Sequence, residues 1–336
     1  MHQGFAAPPP PRQKRRRVTL LQGLALFGLA AAGTAPLHAA EFPERSVKIV
    51  VNFPPGGPLD VIARQVANRL TTTLKQSVVV ENVSGASGNI GANQVARANA
   101  DGYTILMSID TPFTMTPALY PDTSVKADEL RPVAVMGVTG SIVAVQPSLG
   151  VNSLKELVER GKREVLTFST AGSGSPGHFA ALMLADATGM KINSIHYRGN
   201  APAVLAMVSG EVQAGILGAG GLLPHIKAGK LKALAVAGNS RLIGLPELPT
   251  ALEQGQAGLD LEFMFIAMAP AKTPDAVVNV LQKAIMEATG QADFQERMLG
   301  LDVGPSNLSG AAAGERLTKS RERYAYIVKT TGLKGE

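Results

Sequence analysis

Short apolar runs rich in Val and Ile alternate along this chain with longer stretches whose apolar positions recur nearer every 3.6 residues than every second one. That alternation is the pattern of mainly parallel sheets covered by helices. The runs predict strands over 47–53, 78–81, 104–108, 142–146, 166–169, 192–197, 213–217, 233–237 and 263–269. Helical spacing fills 60–74, 88–98, 153–162, 176–188, 202–209 and 222–228 between them. The tail changes character. Residues 274–289, 292–299 and 311–329 read as helices, and no strand is expected after residue 269. An α/β protein of this kind binds its ligands outside the carboxyl ends of its strands.

Two strand-to-helix turns there are rich in glycine. The first, Pro54-Pro55-Gly56-Gly57-Pro58-Leu59-Asp60, leads straight into a helix. Its glycines let backbone amides approach a ligand without a Cβ in the way. Pro58 suits the first helical turn, where a missing amide hydrogen does no harm. Unpaired first-turn amides and the positive end of the helix dipole make a carboxylate site that needs no Arg or Lys. The same residues also make a plain tight turn with Asp60 complementing the dipole, and the pattern alone leaves both readings open. The second turn, Thr170-Ala171-Gly172-Ser173-Gly174-Ser175-Pro176-Gly177-His178, repeats the design, with Ser175 placed as helix cap and three hydroxyls beside the amides. Two anion-seeking helix ends suit an acid with a carboxylate at each end, or one carboxylate and a polar tail.

The beginning of the chain has a different origin. A basic stretch ending at Arg17, an apolar run over 18–32 and the small-residue exit Thr34 to Ala40 read as a signal peptide, cleaved after Ala39 or Ala40. Its apolar core is shorter than the roughly 20 residues of a spanning helix. The Sec and twin-arginine routes both remain open, and no later apolar run approaches spanning length. The mature protein is therefore expected in the periplasm with no stable membrane insertion. Of 32 Lys and Arg, the five in the leader (Arg12, Lys14, Arg15, Arg16 and Arg17) account for most of the net charge of +6. Without them the chain balances to within one charge, which removes the concentrated basic face that nucleic acid requires. Cys is absent, so disulfides, thiolate metal sites and a lipidated cysteine anchor are excluded. The histidines show no metal-ligand spacing, so no metal and no cofactor is expected. Trp is also absent and aromatics are 4% of the chain, a poor endowment for stacking on sugars.

Gly172, Gly174 and Gly177 spell a dinucleotide fingerprint, but the next predicted strand ends His196-Tyr197-Arg198, without the acid that would hold a ribose. An exported serine hydrolase would use Ser173 or Ser175 with His178 as base. A capping hydroxyl is already engaged, however, and the nucleophile-elbow pattern is missing. The chain reads as a binding protein, not an enzyme.

Several blocks, in order, carry a resemblance: Phe42-Pro43-Glu44-Arg45 through Phe53-Pro54-Pro55-Gly56-Gly57-Pro58, then Val80-Glu81-Asn82, Gly88-Asn89-Ile90-Gly91, Asp101-Gly102-Tyr103-Thr104 and Pro117-Ala118-Leu119-Tyr120-Pro121. Later come Ser153-Leu154-Lys155-Glu156-Leu157, the turn from Gly172 to His178, Tyr197-Arg198-Gly199 and the stretch from Leu223 to Leu231. Over nearly all of 42–336 the chain resembles the extracytoplasmic solute-binding receptors of the tripartite tricarboxylate transporter family, also called Bug receptors. The resemblance implies a two-lobed periplasmic binding protein of the Venus-flytrap type, each lobe a mainly parallel sheet flanked by helices. Residues 41–141 plus 266–336 would form one lobe and 142–265 the other, closing as a monomer on a small carboxylate. The cargo would pass to one small and one large membrane subunit, although a sensor that docks on a membrane kinase would use the same cleft. Both turns would line that cleft, with Phe53, Pro55, Gly56, Gly57, Leu59 and Asp60 from the first. From the second would come Ser169, Thr170, Ala171, Gly172, Ser173, Ser175 and His178. The chain departs from the family pattern at Asn52, usually Pro, at Leu59, usually small, and at Leu217, where some members carry an acid that can pair with a ligand ammonium. The last departure favours a non-amino acid as ligand.

Overall fold

The computed structural model describes Gly4 and residues 42–335, other than 123, 124, 127, 257, 258 and 260. The signal-peptide reading lies outside the described residues. The first half of the fold begins with β1 (Val47–Val51), α1 (Pro58–Thr73), β2 (Val78–Asn82), α2 (Asn89–Ala96), β3 (Thr104–Ile109) and the single turn α3 (Thr116–Leu119). The long β4 (Leu130–Val145) leads to α4 (Leu154–Arg163), β5 (Leu166–Thr170), α5 (Pro176–Thr188), β6 (Ile192–His196), α6 (Asn200–Ser209), β7 (Ala214–Gly218), α7 (Ala219–Lys227) and β8 (Lys232–Ala237). The chain returns through β9 (Glu262–Pro270), α8 (Asp275–Thr289), α9 (Ala292–Gly300), β10 (Gly304–Ser309) and α10 (Gly310–Thr331).

These strands form one curled sheet in the order β2-β1-β3-β9-β4-β7-β5-β6, with β8 and β10 also paired to β4. The expected parallel pairing occupies both flanks, as β2-β1-β3 and as β6-β5-β7. Between them runs an antiparallel seam centred on β4. From Leu130 to Gly140 β4 pairs with β9, and from Ser141 to Val145 it pairs with β7 and β8. The chain thus changes sheet partners within a single strand.

Each half of the sheet is covered on both faces. Ile49, Leu70, Leu281 and Phe294 belong to the apolar cluster under α1, α8 and α9, while Ala92, Phe113 and Leu317 belong to the one beneath α2 and the start of α10. In the other half, Phe168, Phe179 and Leu157 pack under α4 and α5, and Met207, Leu222 and Val236 under α6 and α7. Helix–sheet–helix layering of this kind buries strands on both faces, which explains their continuous apolar runs. Met115 and Leu119 join the second half's cluster, and so does Tyr324 near the end of α10, whose ring lies 5.3 Å from that of Phe179.

Two expectations need correction. The strand expected at 142–146 is only the end of β4, which begins at Leu130. Arg131, Pro132, Gly137 and Gly140 break the apolar pattern there, but pairing with β9 supplies the backbone bonds that the pattern does not advertise. A strand also follows residue 269: β10, of sequence GPSNLS, is poor in strand formers and is held by its antiparallel pairing with β4. The helices fared better. α5 spans the predicted 176–188, because the Ser175 hydroxyl accepts from the His178 amide and Gly189 takes a left-handed conformation at the far end.

Candidate functional site

The first turn is built around Asp60. Only 5% exposed, its carboxylate accepts hydrogen bonds from the Gly56 amide at 3.0 Å, Arg64 Nε at 3.1 Å and Asn82 Nδ2 at 3.0 Å. Burial pushes its pKa up, but these donors and the Arg64 charge outweigh that and hold it below the usual carboxylate range. Asp60 therefore points inward and fixes the turn, with Gly56 in the left-handed region at φ 85°. Gly57 is the helix cap with extended backbone and no side-chain cap. With Pro58 lacking a hydrogen, the amides of Gly57 and Leu59 are left without helical partners. A Cβ on Gly57 would meet nothing closer than the Pro54 carbonyl at 4.0 Å, so the space before that backbone is open.

That space belongs to a cleft between the two halves of the sheet. Phe53, Pro55, Gly57 and Leu59 line it from the first turn, together with Ile109, Phe263, Phe265 and Val303 from the same half. Ala171, Ser175, Gly177, Asn200 and the segment Ile216 to Gly220 line the other side. Thr139 and Ser141 contribute from β4, on either side of its change of partner. Among the described residues, no Arg, Lys, His, Asp or Glu lines the cleft.

The second turn is more self-contained than its composition suggests. The Gly174 amide donates to His178 Nδ1 at 2.9 Å, the Ser175 amide to the Gly172 carbonyl at 3.1 Å, and the His178 amide to Ser175 Oγ at 3.3 Å. His178 is fully buried, and its ring lies edge-on to that of His196 with centroids 4.6 Å apart. Burial, helped by the His196 charge, lowers its pKa to about 4, so it stays neutral with its hydrogen on Nε2. Thr170 Oγ1 sits 2.7 Å from His196 Nδ1, and Ser169 Oγ is buried against Gly215. Gly172 and Ser173 line an adjoining groove with Ser84, Ser87, His196 and Arg198, and Ser173 Oγ donates to the Tyr120 hydroxyl at 2.7 Å.

Of the sequence-expected residues, the structure brings Phe53, Pro55, Gly57, Leu59, Ala171 and Ser175 together around the cleft. Asp60, Ser169, Thr170 and His178 are buried outside its lining as supports, and Gly56 is an exposed residue of the first turn. Ser141, Asn200, Phe263 and Phe265 escaped the sequence reading. They sit outside glycine-rich turns, and only the fold carries them to the cleft.

Hydrogen bonds also cross the cleft. The Gly244 amide donates to Asp302 Oδ1 at 2.8 Å, while Asp302 is itself held within its own half by Thr139 Oγ1, which donates to its carbonyl at 2.8 Å. On the opposite flank Thr116 Oγ1 donates to the Gly174 carbonyl at 3.1 Å, and Ser87 Oγ to the Ser173 carbonyl. The two halves are in contact at both rims. Asn52, one of the departures, uses its buried side chain to tie the Gly88 carbonyl to the Ser108 hydroxyl, so it braces β1 against its neighbours.

A sequence profile described as the tripartite tricarboxylate transporter family receptor matches residues 62–333. The chain belongs to that family. Among solved structures, the periplasmic binding protein BugD is 32% identical, with a TM-score of 0.82 over 88% of this chain and 100% of its own. A Rhodopseudomonas palustris protein solved with adipate is 29% identical, with a TM-score of 0.82 over 87% of this chain and 98% of its own. MatC from the same organism, solved with bound malate, is 27% identical, with a TM-score of 0.80 over 85% of this chain and 100% of its own. The receptor therefore has the two-lobed α/β fold of periplasmic binding proteins, and its kin are binding proteins, not enzymes. The hydrolase alternative also fails on geometry. In the receptor Ser175 Oγ accepts from the His178 backbone, and His178 Nδ1 is occupied by the Gly174 amide. Among the described residues, no helix is long and apolar enough to cross a membrane.

Proposed function

We propose that this receptor captures a small carboxylic acid in the cleft between its halves and delivers it to a tripartite tricarboxylate-type membrane transporter with one small and one large subunit. The observation that carries the reading is the start of α1. There, residues whose backbone amides have no helical partner line a cleft that carries no charged side chain among the described residues. An anion placed there gains amide hydrogen bonds and the helix dipole without competing with any fixed charge. The carboxylates named with the R. palustris relatives, adipate and malate, support the same class of ligand.

In this reading residues 41–141 plus 266–336 form one lobe and 142–265 the other. The passages through β4 and β9 act as hinge, and the rim contacts hold the closed form. The protein works as a periplasmic monomer once residues 1–40 are removed as a signal peptide.

Thermal unfolding of the mature protein against a panel of acids, sugars, amino acids and metal ions tests the reading. Carboxylic acids are expected to raise the melting temperature, because a ligand bound only by the folded state stabilises it by mass action. A shift with sugars or metal ions and none with any acid would refute the assignment.

A further inference from the structure

We propose that the groove beside the cleft is a second anion subsite, in which Arg198 and the backbone amides around it hold a carboxylate other than the one at the start of α1. The inference rests on the reading that the cleft holds an acid, and it adds a place outside the cleft for a further negative group. The groove shares Phe53, Pro54 and Ala171 with the cleft. The first half contributes Ser87 to it, and the second contributes Gly172, Ser173 and Arg198. Among the described residues, no Asp or Glu lines it.

The argument turns on which polar groups of the groove are already engaged. Ser87 Oγ donates to the Ser173 carbonyl, Ser173 Oγ to the Tyr120 hydroxyl, and the Tyr197 hydroxyl to Glu211 at 2.7 Å. Thr170 occupies one nitrogen of His196. Arg198 is different. It is exposed, and among the described residues its side chain has no ion pair and no hydrogen bond. The amides of Ser87, Gly172 and Ser173 also meet no acceptor among the described residues. A Cβ on Gly172 would lie 2.9 Å from Ser87 Oγ, so the residues of the two halves that carry these donors approach closely here. A guanidinium beside amides without acceptors suits a carboxylate, whose oxygens accept several hydrogen bonds and match the guanidinium fork two at a time. Because the donors come from both halves, an anion there also favours the closed form. Two sources have this chemistry: the far end of a diacid whose first carboxylate rests at α1, or a separate small anion.

Calorimetric titration of the mature receptor with adipate and hexanoate, which differ by one carboxylate, tests this in the parent and in Arg198→Gln. If the far end of the cargo fills the groove, the substitution is expected to lower the ratio of adipate to hexanoate affinity about tenfold, the loss of one charge-assisted contact at an exposed site. Arg198→Lys is expected to restore part of that ratio, since the charge stays and the fork is lost. If a separate anion fills the groove, sulfate is expected to tighten hexanoate binding in the parent and not in Arg198→Gln, at an ionic strength matched with chloride so that screening is equal. A parental ratio together with a parental sulfate response, in Arg198→Gln with the parental melting temperature, would overturn the subsite. It would leave any second carboxylate to the amides at the starts of α6 and α7, with the acid reading intact. Equal weakening of both acids would also overturn the subsite, by placing Arg198 at the first carboxylate. If no carboxylic acid binds the parent, the acid reading itself falls.

Discussion

Gly57→Val is the sharpest probe of the cleft. The backbone at Gly57 has φ −83° and ψ 168°, an extended conformation that valine adopts readily, and an added Cβ would come no closer than 4.0 Å to its nearest neighbour. Valine is a poorer helix cap than glycine by up to about 1 kcal/mol, but losing glycine's freedom in the unfolded chain returns about 0.4–1 kcal/mol. Stability should therefore change by less than about 1 kcal/mol, or roughly 2 °C in melting temperature. Binding should suffer far more. The branched side chain fills the space before the amides of Gly57 and Leu59, where each charge-assisted hydrogen bond is worth about 1.5–3 kcal/mol. Losing one weakens binding about tenfold to a hundredfold, and losing both about a hundredfold or more. Paired thermal unfolding and calorimetric titration with hexanoate read the two effects separately. Unchanged affinity in a normally folded Gly57→Val protein would show that the carboxylate does not sit on the α1 amides. Gly172→Val offers no such clean comparison. Gly172 has φ 133°, and its Cβ would lie 2.9 Å from Ser87 Oγ, so that substitution strains the fold before it reaches any ligand.

Other consequences follow from the supports around the cleft. Asp302→Ala removes the acceptor that joins the two halves through Gly244, so it should lower ligand affinity about tenfold and raise the radius of gyration without ligand; small-angle scattering unchanged from the parent would refute the latch. Asp302→Asn, which tolerates the left-handed φ of 56° and keeps an acceptor, should retain most of the parent affinity. Gly177→Ala would place a Cβ 1.8 Å from the Ile216 carbonyl, so a loss of at least about 3 kcal/mol is expected in denaturant unfolding, and a near-parental midpoint would contradict the contact of α5 with β7. Asp110 is fully buried, and burial pushes its pKa up to about 7 despite the hydrogen bond from the Met264 amide and the Arg316 charge. Because the folded pKa lies above the unfolded 3.8, its contribution is complete below pH 3.8 and is lost as pH rises toward 7. Asp110→Asn should remove that decline and be more stable than the parent at pH 7.5 by up to about 4 kcal/mol. Denaturation at pH 4.5 and 7.5 checks the sign, and identical pH dependence in the two proteins would refute it.

The turns were legible because glycine and proline announce their backbone chemistry directly. Gly56 needs its left-handed φ, and Ser175 with Pro176 marks a helix start whatever surrounds it. Hydroxyl and carboxylate roles were not legible in the same way. Ser169, Thr170 and His178 occupy the same short stretch as Ser175, yet only the packing of α5 against β7 and of β5 against β6 decides that they turn inward. Asp60 illustrates the point from the other side. A first-turn acid near an anion site reads either as a dipole partner or as a ligand contact, and its grip on the Gly56 amide through Arg64 and Asn82 depends on β2 lying alongside. Phe263 and Phe265 could be placed on a strand, but their approach to the first turn depends on β9 crossing between β3 and β4.

The last helix has a mechanical consequence. Its 22 residues span about 33 Å, with Ala313 and Leu317 seated on one core and Tyr324 on the other. A stiff rod fastened at both ends acts as a splint. It resists simple parting of the shells and steers their motion into rotation about an axis close to its own length. A chain that stops after Arg323 should swing wider, and distance measurements between spin labels on the two shells would register the added spread.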